Sequence, residues 1–132
     1  MKILKALAIA TIATTTLLVA SCKKQDPKDQ EIVKYEKKHD TAVLLVTFGS
    51  TFDDPHATYK KQIADFQQAF PDADVFFSFT SRTCINRWQA AKKEQFITPD
   101  LWFKSFLQKE YKTVLVQSLH VIPGEEFTLL RD

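Results

Sequence analysis

The sequence predicts an α/β fold: a parallel sheet flanked by helices, here one incomplete lobe. Three observations carry this. Ala42-Val43-Leu44-Leu45-Val46-Thr47-Phe48 is an almost unbroken apolar run, the pattern of a strand buried on both faces. Similar runs then alternate with stretches whose apolar residues recur at helical spacing, and strand–helix alternation builds a parallel sheet. Hydroxyls, acids and prolines gather where one kind of stretch gives way to the other, as helix starts require.

The first 21 residues read as an export signal. Lys2 and Lys5 form its charged region, and Leu7 to Ala20 form an apolar region too short for a comfortable membrane span. Leu18-Val19-Ala20-Ser21-Cys22 resembles a bacterial lipobox, which implies cleavage before Cys22 and lipidation of that residue. A multiply acylated cysteine is firmly membrane-anchored, because each buried CH₂ contributes about 0.8 kcal/mol. The expected location is the cell envelope, on the periplasmic side of the inner or outer membrane. Residues 22–40 mix both charge signs with few apolar groups, so they read as a tether with His39 solvated. Cys84 is then an unpaired cysteine, expected to pack as a small hydrophobe.

The lobe itself occupies residues 41–132, and the sequence reads as truncated within it. After the first strand, Gly49 to Asp54 form a turn, with Asp54 capping a helix that has Pro55 at its first position. Tyr59, Ile63, Phe66 and Phe70 make that helix's apolar face, and His56 reads as a surface or capping residue. Asp74 to Phe79 is a second strand. Thr80-Ser81-Arg82 leads into a helix with Ile85, Trp88 and Ala91 on one side. Thr98-Pro99-Asp100 starts another, with Phe103, Phe106 and Leu107 as its apolar face. Thr113 to Ser118 is a third, buried-looking strand, although three strands also leave the sheet an exposed edge.

Bulk composition excludes some functions. The chain is 45% hydrophobic and 26% charged, an ordinary globular balance. Of its 18 basic residues, Lys2 and Lys5 lie in the signal, leaving 16 against 16 acidic ones. Nothing in that balance points to a nucleic-acid binder. With two glycines in all, it has no glycine-rich loop to cradle a nucleotide.

Ligands bind at the carboxyl ends of parallel strands. The three expected ends carry Gly49-Ser50-Thr51, Thr80-Ser81-Arg82, and Ser118-Leu119-His120-Val121-Ile122-Pro123-Gly124-Glu125-Glu126-Phe127. This rim of hydroxyls, one guanidinium, one imidazole and two carboxylates suits a polar ligand, and imidazole with carboxylate suits a first-row metal or a proton transfer. Helix capping by the hydroxyls is an equally good reading of each one alone.

Together, Val46 to Thr51, Phe79 to Arg82 and Gln117 to Phe127 resemble the anaerobic-type sirohydrochlorin cobaltochelatases of the class II chelatase superfamily. The likeness covers an N-terminal half only, in an exported lipoprotein form. It implies a two-lobed α/β fold that inserts Co²⁺ into a tetrapyrrole without ATP, as in anaerobic cobalamin synthesis. The family's metal site uses two histidines and a glutamate. The glutamate falls on Glu126, as catalytic residue and metal ligand, and His120 matches a cleft histidine near the metal. Ser50, Thr51, Ser81, Arg82 and His120 are the expected tetrapyrrole contacts. Cobalt is the expected metal, with iron or nickel as alternatives, and sirohydrochlorin or a haem-like ring the expected partner. Both catalytic histidines belong to a second half not present in these 132 residues, so a missing C-terminal lobe or a homodimer is expected to complete the site. The competing reading is an envelope lipoprotein that binds haem or metal without catalysis.

Overall fold

β1 (Thr41–Thr47) is the hydrophobic axis of the structure, a computed structural model that describes residues 31–132. Ala42, Leu44, Leu45 and Val46 are wholly buried. The strand has two buried faces because helices pack on both. Val43 and Leu45 join Phe77, Phe79 and Ile85 in one core, capped by Tyr59, Ile63 and Phe66; Ala42, Leu44 and Val46 join Phe106 in the other, with Phe76 and Trp102. Successive residues of a strand point to opposite faces, so an unbroken apolar run serves both layers.

The order along the chain is β1, α1 (Asp53–Ala69), β2 (Ala73–Phe79), α2 (Arg82–Lys92), α3 (Pro99–Gln108), β3 (Thr113–Ser118) and α4 (Glu125–Arg131). The sheet is entirely parallel, in the order β2-β1-β3, with Thr47 opposite Phe79 and Val46 opposite Ser118. That register brings all three carboxyl ends to one rim, as expected from sequence.

Several local expectations are corrected. α1 begins at Asp53 with Phe52 at its cap, and Asp54 does not cap it. Ser50 reaches forward instead, its Oγ accepting the Phe52 N–H at 3.1 Å. Thr98 does stand at the α3 cap with Pro99 after it, but its side chain makes no capping bond. Ala91 is exposed, and Leu107 is 80% exposed because α3 turns that side away from Phe106. β3 is not buried: Val114, Leu115 and Val116 are 37–44% exposed, since no described element covers its outer edge.

The signal segment and Cys22 lie outside the described residues. Residues 31–40, read as the end of a tether, run extended against the lobe instead. Tyr35 packs edge-on to Phe76 and Trp102 at 4.9 and 5.7 Å between centroids. Asp74 clasps the same segment. Its Oδ2 accepts the Lys38 and His39 backbone N–H groups at 3.0 and 3.2 Å and the Tyr111 hydroxyl at 2.5 Å, and its Oδ1 lies 2.8 Å from His39 Nδ1. His39 is therefore bonded rather than merely solvated. Burial alone would raise the Asp74 pKa, but the bonds from Tyr111, Lys38 and His39 outweigh it and hold the carboxyl below its ordinary value.

Candidate functional site

The β1–α1 corner is built by glycine and an aromatic cluster. Gly49 has φ of +108°, a conformation that L side chains avoid, and a Cβ there would lie 2.8 Å from the Phe79 ring. Phe79 cannot yield easily, being wholly buried and stacked on Phe96 at 4.1 Å. The Ser50 hydroxyl is turned to the Phe52 amide, whereas Thr51 is exposed at the rim.

At the β2–α2 corner, Ser81 caps the helix, its Oγ accepting the Cys84 N–H at 3.3 Å. The capping reading thus accounts for this hydroxyl. Thr80 points elsewhere, and its Oγ1 lies 3.3 Å from His120 Nε2.

His120 follows β3 and is held on both ring nitrogens. Ser118 Oγ lies 2.9 Å from Nδ1 while accepting the His120 backbone N–H at 3.2 Å, and Thr80 Oγ1 also lies 3.5 Å from the Thr47 carbonyl. One hydrogen-bond assignment satisfies every group: Ser118 O–H donates to Nδ1, Nε2–H donates to Thr80, and Thr80 O–H donates to Thr47. Burial lowers the His120 pKa, partly offset by the negative charge of Glu126, so the ring is neutral at pH 7.

Two clefts meet at Glu126, in the first turn of α4. One, of about 390 Å³, is lined by Thr47, Phe48, His120, Glu126 and Phe127. The other, of about 340 Å³, is lined by Thr80, Arg82, Asp100, Phe103, Glu126 and Leu130. Of the residues singled out from sequence, the structure therefore places Arg82 and His120 in two separate clefts that share Glu126. It does not bring Ser50, Thr51 or Ser81 into either cleft. Among the described residues, no group of three His, Cys, Asp or Glu side chains gathers as a metal site. His120 and Glu126 form at most part of one, and His120 would have to release a hydroxyl to coordinate.

Two residues take parts that the sequence does not give them. Thr80, read from sequence only as one of the rim's hydroxyls, lies against His120, whereas the neighbouring Ser81 caps its helix. His56, expected at the surface, is 4% exposed, and its Nε2 lies 2.8 Å from the Ser50 carbonyl. Its ring stacks on Trp88 at 3.3 Å. The available signal was composition: with 11 phenylalanines in the chain, a histidine near β-strand ends has aromatic neighbours to pack against.

Comparison with known proteins agrees with this corner chemistry. Residues 41–132 match the family described as cobalt chelatase (CbiK). The chain is 32% identical over 90 residues to the sirohydrochlorin cobaltochelatase of Salmonella typhimurium, covering 65% of this chain and 33% of that protein. It is 33% identical over 100 residues to the sirohydrochlorin cobaltochelatase CbiKC of Nitratidesulfovibrio vulgaris, covering 76% of this chain and 34% of that one. The chain thus spans about a third of the length of these relatives. With the family matched along the whole α/β lobe, the chain belongs to the cobalt chelatase family.

Proposed function

We propose that this lobe forms one wall of a tetrapyrrole site and serves the insertion of Co²⁺ into sirohydrochlorin. Glu126 carries the reading. It is the shared wall of both clefts, with Arg82 on one side and His120 on the other, in a chain of the cobalt chelatase family. Insertion requires removal of two pyrrole protons and replacement of water on the metal. A carboxylate at the ring's face serves both, as base and as ligand to the incoming metal. Arg82 faces the peripheral carboxylates of the ring, which a guanidinium matches in charge and geometry. His120, neutral and with both ring nitrogens bonded to Ser118 and Thr80, contributes a fixed imidazole surface to the cleft rather than a full coordination site. The remaining metal ligands come from a second lobe, on a longer polypeptide or a second copy of this chain.

The proposal extends to metal, nucleotide and location. Cobalt is the substrate, with iron and nickel as competitors, and no nucleotide takes part. Cys22 carries lipid and holds the lobe at the periplasmic face of a membrane. The test is sirohydrochlorin binding followed by absorbance, then metal insertion with Co²⁺, Fe²⁺ or Ni²⁺, with and without ATP. Binding that weakens in Arg82→Ala and survives in Glu126→Gln supports the reading. No binding by the chain, or binding indifferent to Arg82, overturns it. Intact-mass analysis of membrane-extracted protein tests lipidation, since an unmodified Cys22 would remove the anchor.

A further inference from the structure

We infer that His56 is a positioning residue for the tetrapyrrole site, fixing the Gly49–Ser50–Thr51 turn by donating its Nε2–H to the Ser50 carbonyl. This rests on the proposed tetrapyrrole reading for its consequence, but not for its geometry. His56 lies in the first turns of α1, buried to 4% exposure, with Nε2 2.8 Å from the Ser50 oxygen. A carbonyl only accepts, so Nε2 carries the proton.

The ring that delivers this bond is locked from every side. It stacks on Trp88 of α2 at 3.3 Å and 7° between planes, and Tyr59, Phe79 and Phe96 surround it with centroids 5.4–5.5 Å away. The turn is held on its other side by Phe79, the same ring that a Cβ on Gly49 would strike. His56 and Phe79 therefore grip Ser50 and Gly49 in succession, and the next residue, Thr51, stands exposed at the rim. A buried phenylalanine would satisfy the packing here equally well. The donor adds something packing does not need, namely a fixed direction for the Ser50 carbonyl and hence for the turn that leads out of Thr47 and Phe48, two residues lining the 390 Å³ cleft. A cleft wall depends on such supporting bonds for its placement.

Three variants of the 132-residue chain separate the donor from the ring. His56→Phe keeps the stack and loses the donor, His56→Gln keeps a donor of similar reach and loses the stack, and His56→Met has neither at the size of glutamine. Thermal unfolding, the Thr51 and Phe52 amide signals in ¹⁵N spectra, and the Kd for sirohydrochlorin are measured for each. The expected result is opposite rankings. His56→Phe is the more stable variant, yet it shifts the Thr51 and Phe52 amides and binds about tenfold more weakly, the net effect of one hydrogen bond. His56→Gln is less stable but keeps both the amide positions and the affinity. Should His56→Phe fail to fold, the near-isosteric Gln and Met pair makes the same comparison. Affinity and amide positions that follow stability across the variants would overturn the inference, leaving His56 a packing residue. If the wild-type chain binds no ring but the amides still follow the donor, the tetrapyrrole reading falls and the positioning bond stands.

Discussion

Replacing Gly49 by alanine tests the rim at its tightest point. Two costs add. At φ of +108° an L residue sits in a region nearly confined to glycine, which costs about 1–3 kcal/mol. The new Cβ also meets Phe79 Cδ2 and Cγ at 2.8 and 2.9 Å and Cys84 Cβ at 3.1 Å. Relief needs Phe79 to move, but that ring is wholly buried, stacked on Phe96 and in edge contact with His56 and Tyr59. Overpacking of such a core costs about 1–3 kcal/mol more. The total, roughly 2–6 kcal/mol, is a large share of a domain stability of about 5–15 kcal/mol. Urea unfolding followed by circular dichroism measures it as a fall in midpoint at unchanged slope. A loss under about 1 kcal/mol would refute the reasoning, because it would mean that the corner relaxes without strain and that neither Phe79 nor His56 fixes it.

Other consequences follow from separate parts of the lobe. Tyr111→Phe removes the 2.5 Å bond to Asp74, so it should cost about 1.5–3 kcal/mol, the range for a hydrogen bond to a charged group. Because the Asp74 carboxyl is held below its ordinary value, its contribution is present above the unfolded carboxylate pKa and lost as pH falls through the folded one. The variant's acid-unfolding midpoint should rise, and an unchanged midpoint would remove Asp74 as the clasp. For His120 the folded pKa is also lowered, so its contribution is present above the ordinary histidine value of 6.5 and fades on acidification. A pH titration by NMR in which His120 protonates above 6.5 would contradict that. Leu115→Lys, on the exposed edge strand, should reduce aggregation in light scattering while changing stability by under about 1 kcal/mol; a larger loss would show that strand to be covered in solution. The 132-residue chain alone should insert cobalt poorly, since its described residues gather no three-ligand site. Efficient insertion that Glu126→Ala leaves unchanged would dismiss Glu126 from the chemistry.

The fold was legible because its strongest signal is local. Seven consecutive residues from Ala42 read as a doubly buried strand, and parallel pairing then dictated that three strand ends share a rim. The third motif offered His120 with two carboxylates, Glu125 and Glu126, and it was the resemblance to the chelatases that singled out Glu126. Less was visible wherever the deciding partner is remote. His56 is buried by Trp88 and Phe96, which belong to a different helix and the loop after it, so nothing beside it in the chain indicates burial. Charge composition made residues 31–40 look solvated, yet Val33, Tyr35, Lys37 and His39 alternate with more exposed neighbours. That period of two is the mark of an extended segment laid on a surface. The hydroxyls misled for a third reason. Ser50 and Ser81 have the chemistry of ligand contacts, and the backbone N–H groups of the helix starts claim them first.

These differences divide the rim into two halves of unequal firmness. The β1 and β2 corners stand on strands whose ends are buried, and their turns are gripped by Phe79, His56 and a capping serine. The β3 corner, which carries His120 and Glu126, rises from a strand 37–44% exposed at Val114 to Val116 and passes through Val121 and Ile122, exposed at 96% and 77%. Local stability follows burial and hydrogen bonding, so the second half opens more readily than the first. Under the proposed function this asymmetry has a chemical logic. The ring must be held in one place while protons leave and a metal arrives, so the wall that fixes the ring gains from rigidity. The carboxylate proposed to take protons and meet the metal would have to change partners during the same event. A glutamate on a short helix beyond an uncovered strand is free to do so.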